Sequence, residues 1–171
     1  MAQILKLIND DEALRIASNL EKEGYSFYTA VAKNTKDSDS KRMFTQLAEA
    51  EKKHLAVFEE LRANLHARKG QIPWGEEDDL VSAYLRNLID TGIFTGSEKK
   101  SAVKKKKDIT ETEACRVGIQ TEKDSRLFCG EASRLCRDRR GRKMFKSLID
   151  EEKQHLTELA RHLRHLRQKK G

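Results

Sequence analysis

Apolar residues recur in steps of three and four along most of this 171-residue chain, the spacing that lines one face of an α-helix. Four such stretches stand out. The first opens at an N-cap signal at Asn9 or Asp10, with Glu12 behind it, and runs to about Lys33. The second follows Asp37-Ser38-Asp39 and runs to about Ala67. The third starts at Thr110, whose partner Glu113 completes a capping box, and the fourth covers roughly Arg142 to Arg167. Each is near 25 residues, about 38 Å at the standard helical rise. Between the second and third lies a segment over 68–109, broken by Gly70 and Pro73, in which Leu80 to Ile89 suggests a short helix near 77–90. A connection that long can cross from one end of a bundle to the other. The pattern predicts an all-α fold: one domain over 1–171, in which helix pairs 10–67 and 110–167 are joined by a long crossover.

The two pairs are related to each other. Sliding the chain by 101 residues puts Arg15 on Arg116, Glu21-Lys22 on Glu122-Lys123, Phe27 on Phe128, and Met43-Phe44 on Met144-Phe145. The same shift puts Leu47 on Leu148, Glu51-Lys52 on Glu152-Lys153, and His54-Leu55 on His155-Leu156, with no gap. Two helix pairs built on one plan imply a bundle with a pseudo-twofold axis.

The apolar seams carry polar residues at matching places. Helix two reads Leu47, Glu51, His54, Phe58, Leu61, Leu65, and helix four reads Leu148, Glu152, His155, Leu159, His162, Leu166. A Glu and a His three residues apart share one helix face. Helix one reads Leu14, Ala17, Glu21, Gly24, Tyr28, Val31, and helix three reads Cys115, Gly118, Glu122, Ser125, Cys129, Ala132. The interior is therefore expected to receive Glu21, Glu51, His54, Glu122, Glu152 and His155. Four carboxylates cannot all stay ionised in an apolar core without partners, because each buried charge is costly and like charges raise each other's pKa. Two divalent cations would bring matching positive charge. Mixed carboxylate and imidazole donors suit iron or manganese better than magnesium, calcium or a thiolate-seeking metal. One Glu from each of two helices plus Glu-x-x-His from each of the other two is the donor set of di-iron carboxylate bundles. His66, His162 and His165 fall in closing helical turns and read as surface residues. Glu23, Glu131 and Glu151 lie off the seams and read as solvated.

Composition changes the picture in three ways. Hydrophobic and charged residues each make up 37% of the chain, but a single Pro and regular periodicity argue for long charge-laced helices over disorder. The charge is uneven: residues 1–95 sum to −3 and residues 96–171 to +10. Six lysines between Glu98 and Asp108 read as a solvated loop, and with Arg134 to Lys143 they offer only a weak case for nucleic-acid binding. Cys115, Cys129 and Cys136 form no Cys-x-x-Cys pair, which argues against a disulfide framework or a rubredoxin-type site. The opening residues turn acidic before any long apolar run, and no stretch approaches a membrane span, so a cytoplasmic protein is expected.

The phrases Glu21-Lys-Glu-Gly-Tyr-Ser-Phe-Tyr28 and Glu49-Ala-Glu-Lys-Lys-His54 resemble the rubrerythrin-type, ferritin-like family, and the likeness spans residues 10–65 and 110–167. The resemblance implies a ferritin-like four-helix bundle with two iron ions, manganese being the other candidate. It implies that Glu51 and Glu152 bridge the metals, that His54 and His155 each bind one, and that Glu21 and Glu122 are terminal ligands. It places Tyr28 beside the site as a candidate catalytic residue. The chain departs from rubrerythrins proper in having Ser125 where they carry a further Glu, in lacking a rubredoxin module, and in matching Tyr28 with Cys129 in the second half. By resemblance the protein is a small, rubredoxin-less member. The expected function is a di-iron oxidoreductase reacting with peroxide or dioxygen, with an external electron donor and a homodimeric assembly. A non-enzymatic iron-storing or iron-sensing protein, a di-iron hydroxylase and a basic nucleic-acid-binding bundle are the alternatives.

Overall fold

The structure is a computed structural model that describes residues 9–69 and 109–169. Four helices are the regular elements among them: α1 (Asp10–Asn34), α2 (Ser38–Lys69), α3 (Glu111–Leu135) and α4 (Arg139–Gln168). The expected short helix near 77–90 and the Lys-rich loop lie outside the described residues. So does nearly all of the crossover.

Local chemistry sets the ends. Asn9 caps α1 by accepting from the Glu12 amide at 2.9 Å, and Asp10, Asp11 and Glu12 place negative charge on its first turn. The α1–α2 turn closes with the Thr35 amide on the Val31 carbonyl and the Ser40 amide on Asp37 Oδ1, at 2.9 and 2.8 Å. Thr110 and Glu113 form the expected capping box on α3. Helix α4 starts three residues earlier than the periodicity suggested. Asp138 caps it by accepting from the Gly141 amide at 2.9 Å, so the basic run at Arg139 and Arg140 is already helical. Gly141 permits this close approach, since a Cβ there would stand 3.0 Å from Cys136 Sγ.

Contacts between helix ends fix the topology. Asp10, at the start of α1, accepts from the backbone amides of Arg137 and Asp138 just after α3, at 2.7 and 2.9 Å. At the other end, Thr35 Oγ1 donates to Glu111 Oε1 at 2.7 Å. Helices α1 and α3 are thus antiparallel. Ser40 with His162 and Arg68 with Asp138 show the same for α2 and α4. The end of α2, beside Asp138, and the start of α3, beside Thr35, therefore lie at opposite ends of the bundle. Packing is extensive within the α1–α2 and α3–α4 pairs and lighter across them.

The core is divided. One apolar cluster is built from Phe27, Tyr28, Val31, Phe44, Leu47, Cys115 and Leu159, among others. A second contains Leu14, Ile16, Phe58, Phe128, Phe145 and Leu148. Phe44 and Phe145, mates in the internal repeat, lie in different clusters, as a twofold arrangement requires. Each sits in an aromatic group: Phe44 stacks on Tyr28 at 6.1 Å, and Phe145 meets Phe58 at 5.3 Å and Phe128 at 6.2 Å. Replacing the fully buried Phe145 with Ala should cost about 3–5 kcal/mol, the usual range for deleting a core aromatic. Chemical denaturation of the two proteins would measure it, and a loss below about 1 kcal/mol would contradict this packing.

Candidate metal centre

Between the two apolar clusters lies a polar layer. Every residue of the α1 seam (Leu14, Ala17, Glu21, Gly24, Tyr28, Val31) and of the α3 seam (Cys115, Gly118, Glu122, Ser125, Cys129, Ala132) is buried. On α2, Glu51 and His54 are each 4% exposed; on α4, Glu152 is fully buried and the His155 side chain is 12% exposed. All six expected residues meet in this layer. Their donor atoms form two groups in which every atom lies within 4.8 Å of the others: Glu21, Glu51, His54 and Glu152; and Glu51, Glu122, Glu152 and His155. Glu51 and Glu152 belong to both. These are the only such groups among the described residues.

Small residues make the close approach possible. A Cβ on Gly24 would fall 2.5 Å from Glu51 Oε2, and one on Gly118 would fall 3.0 Å from the Tyr28 hydroxyl. At the place matching Gly24 in the second half, Ser125 Oγ donates to Glu152 Oε1 at 2.9 Å. Tyr28 donates its phenolic proton to Glu122 Oε1. Glu51 Oε1 is buried and makes no hydrogen bond, with His155 Nδ1 3.7 Å away.

Burial, reinforced by the charge of Glu152, holds the Glu21 carboxyl well above the usual range. Glu51 is raised by burial and by Glu21 and Glu122, and Glu152 by burial and by Glu122. Burial would raise Glu122 too, but hydrogen bonds from Glu152, His155 and Tyr28 outweigh it and bring its carboxyl down to about 2. His155 is its counterpart: burial disfavours the imidazolium, yet Glu122 and Glu152 carry its pKa up to about 11. These shifts favour the neutral forms of Glu21, Glu51 and Glu152 and a charge pairing of Glu122 with His155, 3.5 Å apart. Burial lowers His54, against the pull of Glu151. Cys129 stays a thiol, raised by burial and by Glu21 and Glu152.

Glu151 is a correction. The seam reading left it solvated, but its Oε2 lies 3.0 Å from His54 Nε2 and its Oε1 accepts from Ser147 Oγ at 3.1 Å. Its side chain is 44% exposed, so the reading failed because a long side chain at the edge of the face reaches inward. Glu23 and Glu131 are half-buried and belong to neither group, and Glu131 pairs with Arg134 at 3.5 Å. Among the other histidines, His66 Nε2 is 2.6 Å from Asp11 and His162 Nε2 is 2.6 Å from Ser40, while His165 is exposed. None of the three joins the groups.

The family model for rubrerythrin matches residues 4–73, which include the first helix pair. A solved structure from Thermotoga maritima, described as a ferritin-like diiron-carboxylate protein, superposes with a TM-score of 0.65 at 24% identity. That match covers 92% of this chain and 95% of the other. The first helix pair is thus similar to rubrerythrin, and the four helices share the fold of the Thermotoga protein. No curated protein matches it. The likeness to the Thermotoga structure establishes the bundle for both halves, whereas the rubrerythrin match rests on α1 and α2. The second half is tied to the first by the 101-residue repeat. No helix among the described residues is long and apolar enough to cross a membrane.

Two predictions follow from the layer's electrostatics and packing. An unfolded chain ionises its glutamates near pH 4.3, whereas the folded metal-free protein keeps Glu21, Glu51 and Glu152 protonated to higher pH. Above that pH the folded state therefore holds more protons, and stability falls as pH rises. His155 adds to the fall above about pH 6.5, where the unfolded imidazolium would deprotonate, and the lowered pKa of His54 opposes the trend below about pH 6.5. Thermal unfolding in chelator should thus give a higher midpoint at pH 5 than at pH 8, with the gap reduced in Glu152→Gln. Gly24→Ala tests the packing. The added methyl should displace the Glu51 carboxylate, a flexible side-chain end, leaving the helix content unchanged while weakening metal binding at least tenfold in a chelator-competition titration.

Proposed function

We propose that the protein holds two redox-active metal ions, iron in the first instance, and reduces peroxide or dioxygen with electrons from an external donor. The observation that carries the reading is the pair of donor groups sharing Glu51 and Glu152. The sharing of these two carboxylates supports bridging roles for them. His54 and Glu21 would complete one metal position, and His155 and Glu122 the other. The fit is good on the residues' own chemistry. The orphaned Glu51 Oε1 needs a partner, the carboxyl pKa values of Glu21, Glu51 and Glu152 are raised for want of compensating charge, and no Lys or Arg is buried among the described residues. Oxygen and imidazole donors without thiolate accept iron and manganese alike, and iron is the metal suited to peroxide chemistry here. Two such ions held side by side supply the electrons that an O–O bond requires.

The chain's own residues do the remaining work. The apolar clusters on either side keep bulk water out of the layer. Ser125 Oγ fixes Glu152, while Glu51, packed against Gly24, has no such donor on its Oε1. Tyr28 holds a proton at its hydroxyl against Glu122, within the layer where an oxygen substrate would need one. The three cysteines described are buried free thiols, and an external donor would supply the reducing equivalents.

Anaerobic titration of ferrous iron into the metal-free protein should saturate at two equivalents, and Glu51→Ala or Glu152→Ala should abolish that stoichiometry. Sustained peroxide consumption with an added reductant is expected. Failure to bind iron, or undiminished binding in both variants, would overturn the reading. A single round of oxidation without turnover would instead support an iron-storing or iron-sensing role.

A further inference from the structure

The two metal positions would have the same inner composition, three carboxylates and one imidazole each: Glu21, Glu51, Glu152 and His54 on one side, and Glu51, Glu122, Glu152 and His155 on the other. Glu51 and Glu152 are common to both, so they cannot distinguish them, and neither can the Ser125 hydroxyl that holds Glu152. Any inequality must come from what surrounds the unshared residues. On the first side, Glu151 Oε2 lies 3.0 Å from Nε2 of His54, leaving Nδ1 turned toward the carboxylates, 3.2 Å from Glu21. Ser147 donates to the other Glu151 oxygen and steadies it. A carboxylate behind a ligating imidazole fixes its orientation and tautomer and makes it a stronger donor.

The internal repeat supplies no equivalent on the second side. The position 101 residues before Glu151 is Ala50, which has no side chain able to reach a ring nitrogen. There the unshared carboxylate, Glu122, instead accepts the Tyr28 phenolic proton, which draws charge away from it. Its mate on the first side, Glu21, has no phenol to accept from, because the residue matching Tyr28 is Cys129, a buried free cysteine. Both differences act in one direction.

Building on the di-metal reading above, we propose that Glu151 is a positioning residue that makes the centre unequal, so that the position around His54 fills before the one around His155. Loading is then stepwise, and a half-filled form exists at low metal supply.

Calorimetric titration of the metal-free protein with ferrous iron under anaerobic conditions tests this. The wild-type chain should show two steps of one equivalent each, with apparent affinities separated by about tenfold or more, the scale on which partners of ligating imidazoles act. Glu151→Gln and Glu151→Ala should weaken the first step and bring the two together. Asp150→Asn removes the same charge from an exposed neighbour and should leave both steps as in the wild type. Circular dichroism spectra matching the wild type would establish that the variants are folded. The proposal is overturned by two indistinguishable steps in the wild type, by equal weakening of both steps in Glu151→Ala, or by the same change in Asp150→Asn. Absence of iron binding altogether would instead strike the di-metal reading itself.

Discussion

Four glutamates in a sealed layer between two apolar clusters are the constraint on which the rest of this bundle depends. Glu21, Glu51, Glu122 and Glu152 are each no more than 4% exposed, and no Lys or Arg is buried among the described residues. Leaving even one ionised carboxylate there without a partner would cost several kcal/mol, comparable with the whole stability of a typical domain. Burial and mutual repulsion favour the neutral forms of Glu21, Glu51 and Glu152, while Glu122 pairs with His155. That solution is pH-dependent and strained by repulsion, and it is the chemical state most readily exchanged for bound cations. A layer held together by protons is a layer prepared to release them.

The internal repeat explains how such a cluster is assembled, and its imperfections explain how it is differentiated. Twofold placement brings Glu21 and Glu122, Glu51 and Glu152, and His54 and His155 into one layer. The mismatches are concentrated around the same layer: Gly24 against Ser125, Tyr28 against Cys129, Ala50 against Glu151. Each changes a hydrogen bond or the space for one. Ser125 supplies a donor to Glu152 that Gly24 cannot supply to Glu51, and Tyr28 supplies one to Glu122. A symmetric framework therefore carries asymmetric surroundings, which a two-metal centre needs if its positions are to differ while their inner residues remain alike.

The seams of α1 and α3 were legible from the sequence in full, because helical periodicity alone decides which face turns inward and every seam residue is buried. The six residues of the central layer were legible for a further reason: the 101-residue offset picks them out from the many other glutamates. Glu151 was not legible. A helical projection treats a side chain as pointing straight out, whereas this one lies along the helix surface to reach His54 from the neighbouring face. The early start of α4 was missed because Arg139 and Arg140 interrupt the apolar rhythm, and only the Asp138 cap reveals it. Burial of Asp10 and Asp11 could not be read locally either, since their partners lie 51 to 128 residues away.

Those distant partners complete the physical account. A bundle with a destabilising middle must gain its cohesion elsewhere, and here polar ties are found at both ends. Asp10 ties α1 to the α3–α4 turn through two backbone amides, while Asp11 receives both Arg62, at 2.7 and 3.2 Å, and His66. At the opposite end Thr35 bonds Glu111, and Ser40 bonds His162. Hydrogen bonds that involve a charged group contribute about 1.5–3 kcal/mol each when well formed, so a few of them offset a cluster of protonated or repelling carboxylates. They also act where helices would otherwise splay, which keeps the spacing of the central layer set by the ends and not by its own repulsion. The geometry of the candidate centre is thereby held open in the absence of metal by contacts that do not themselves belong to it.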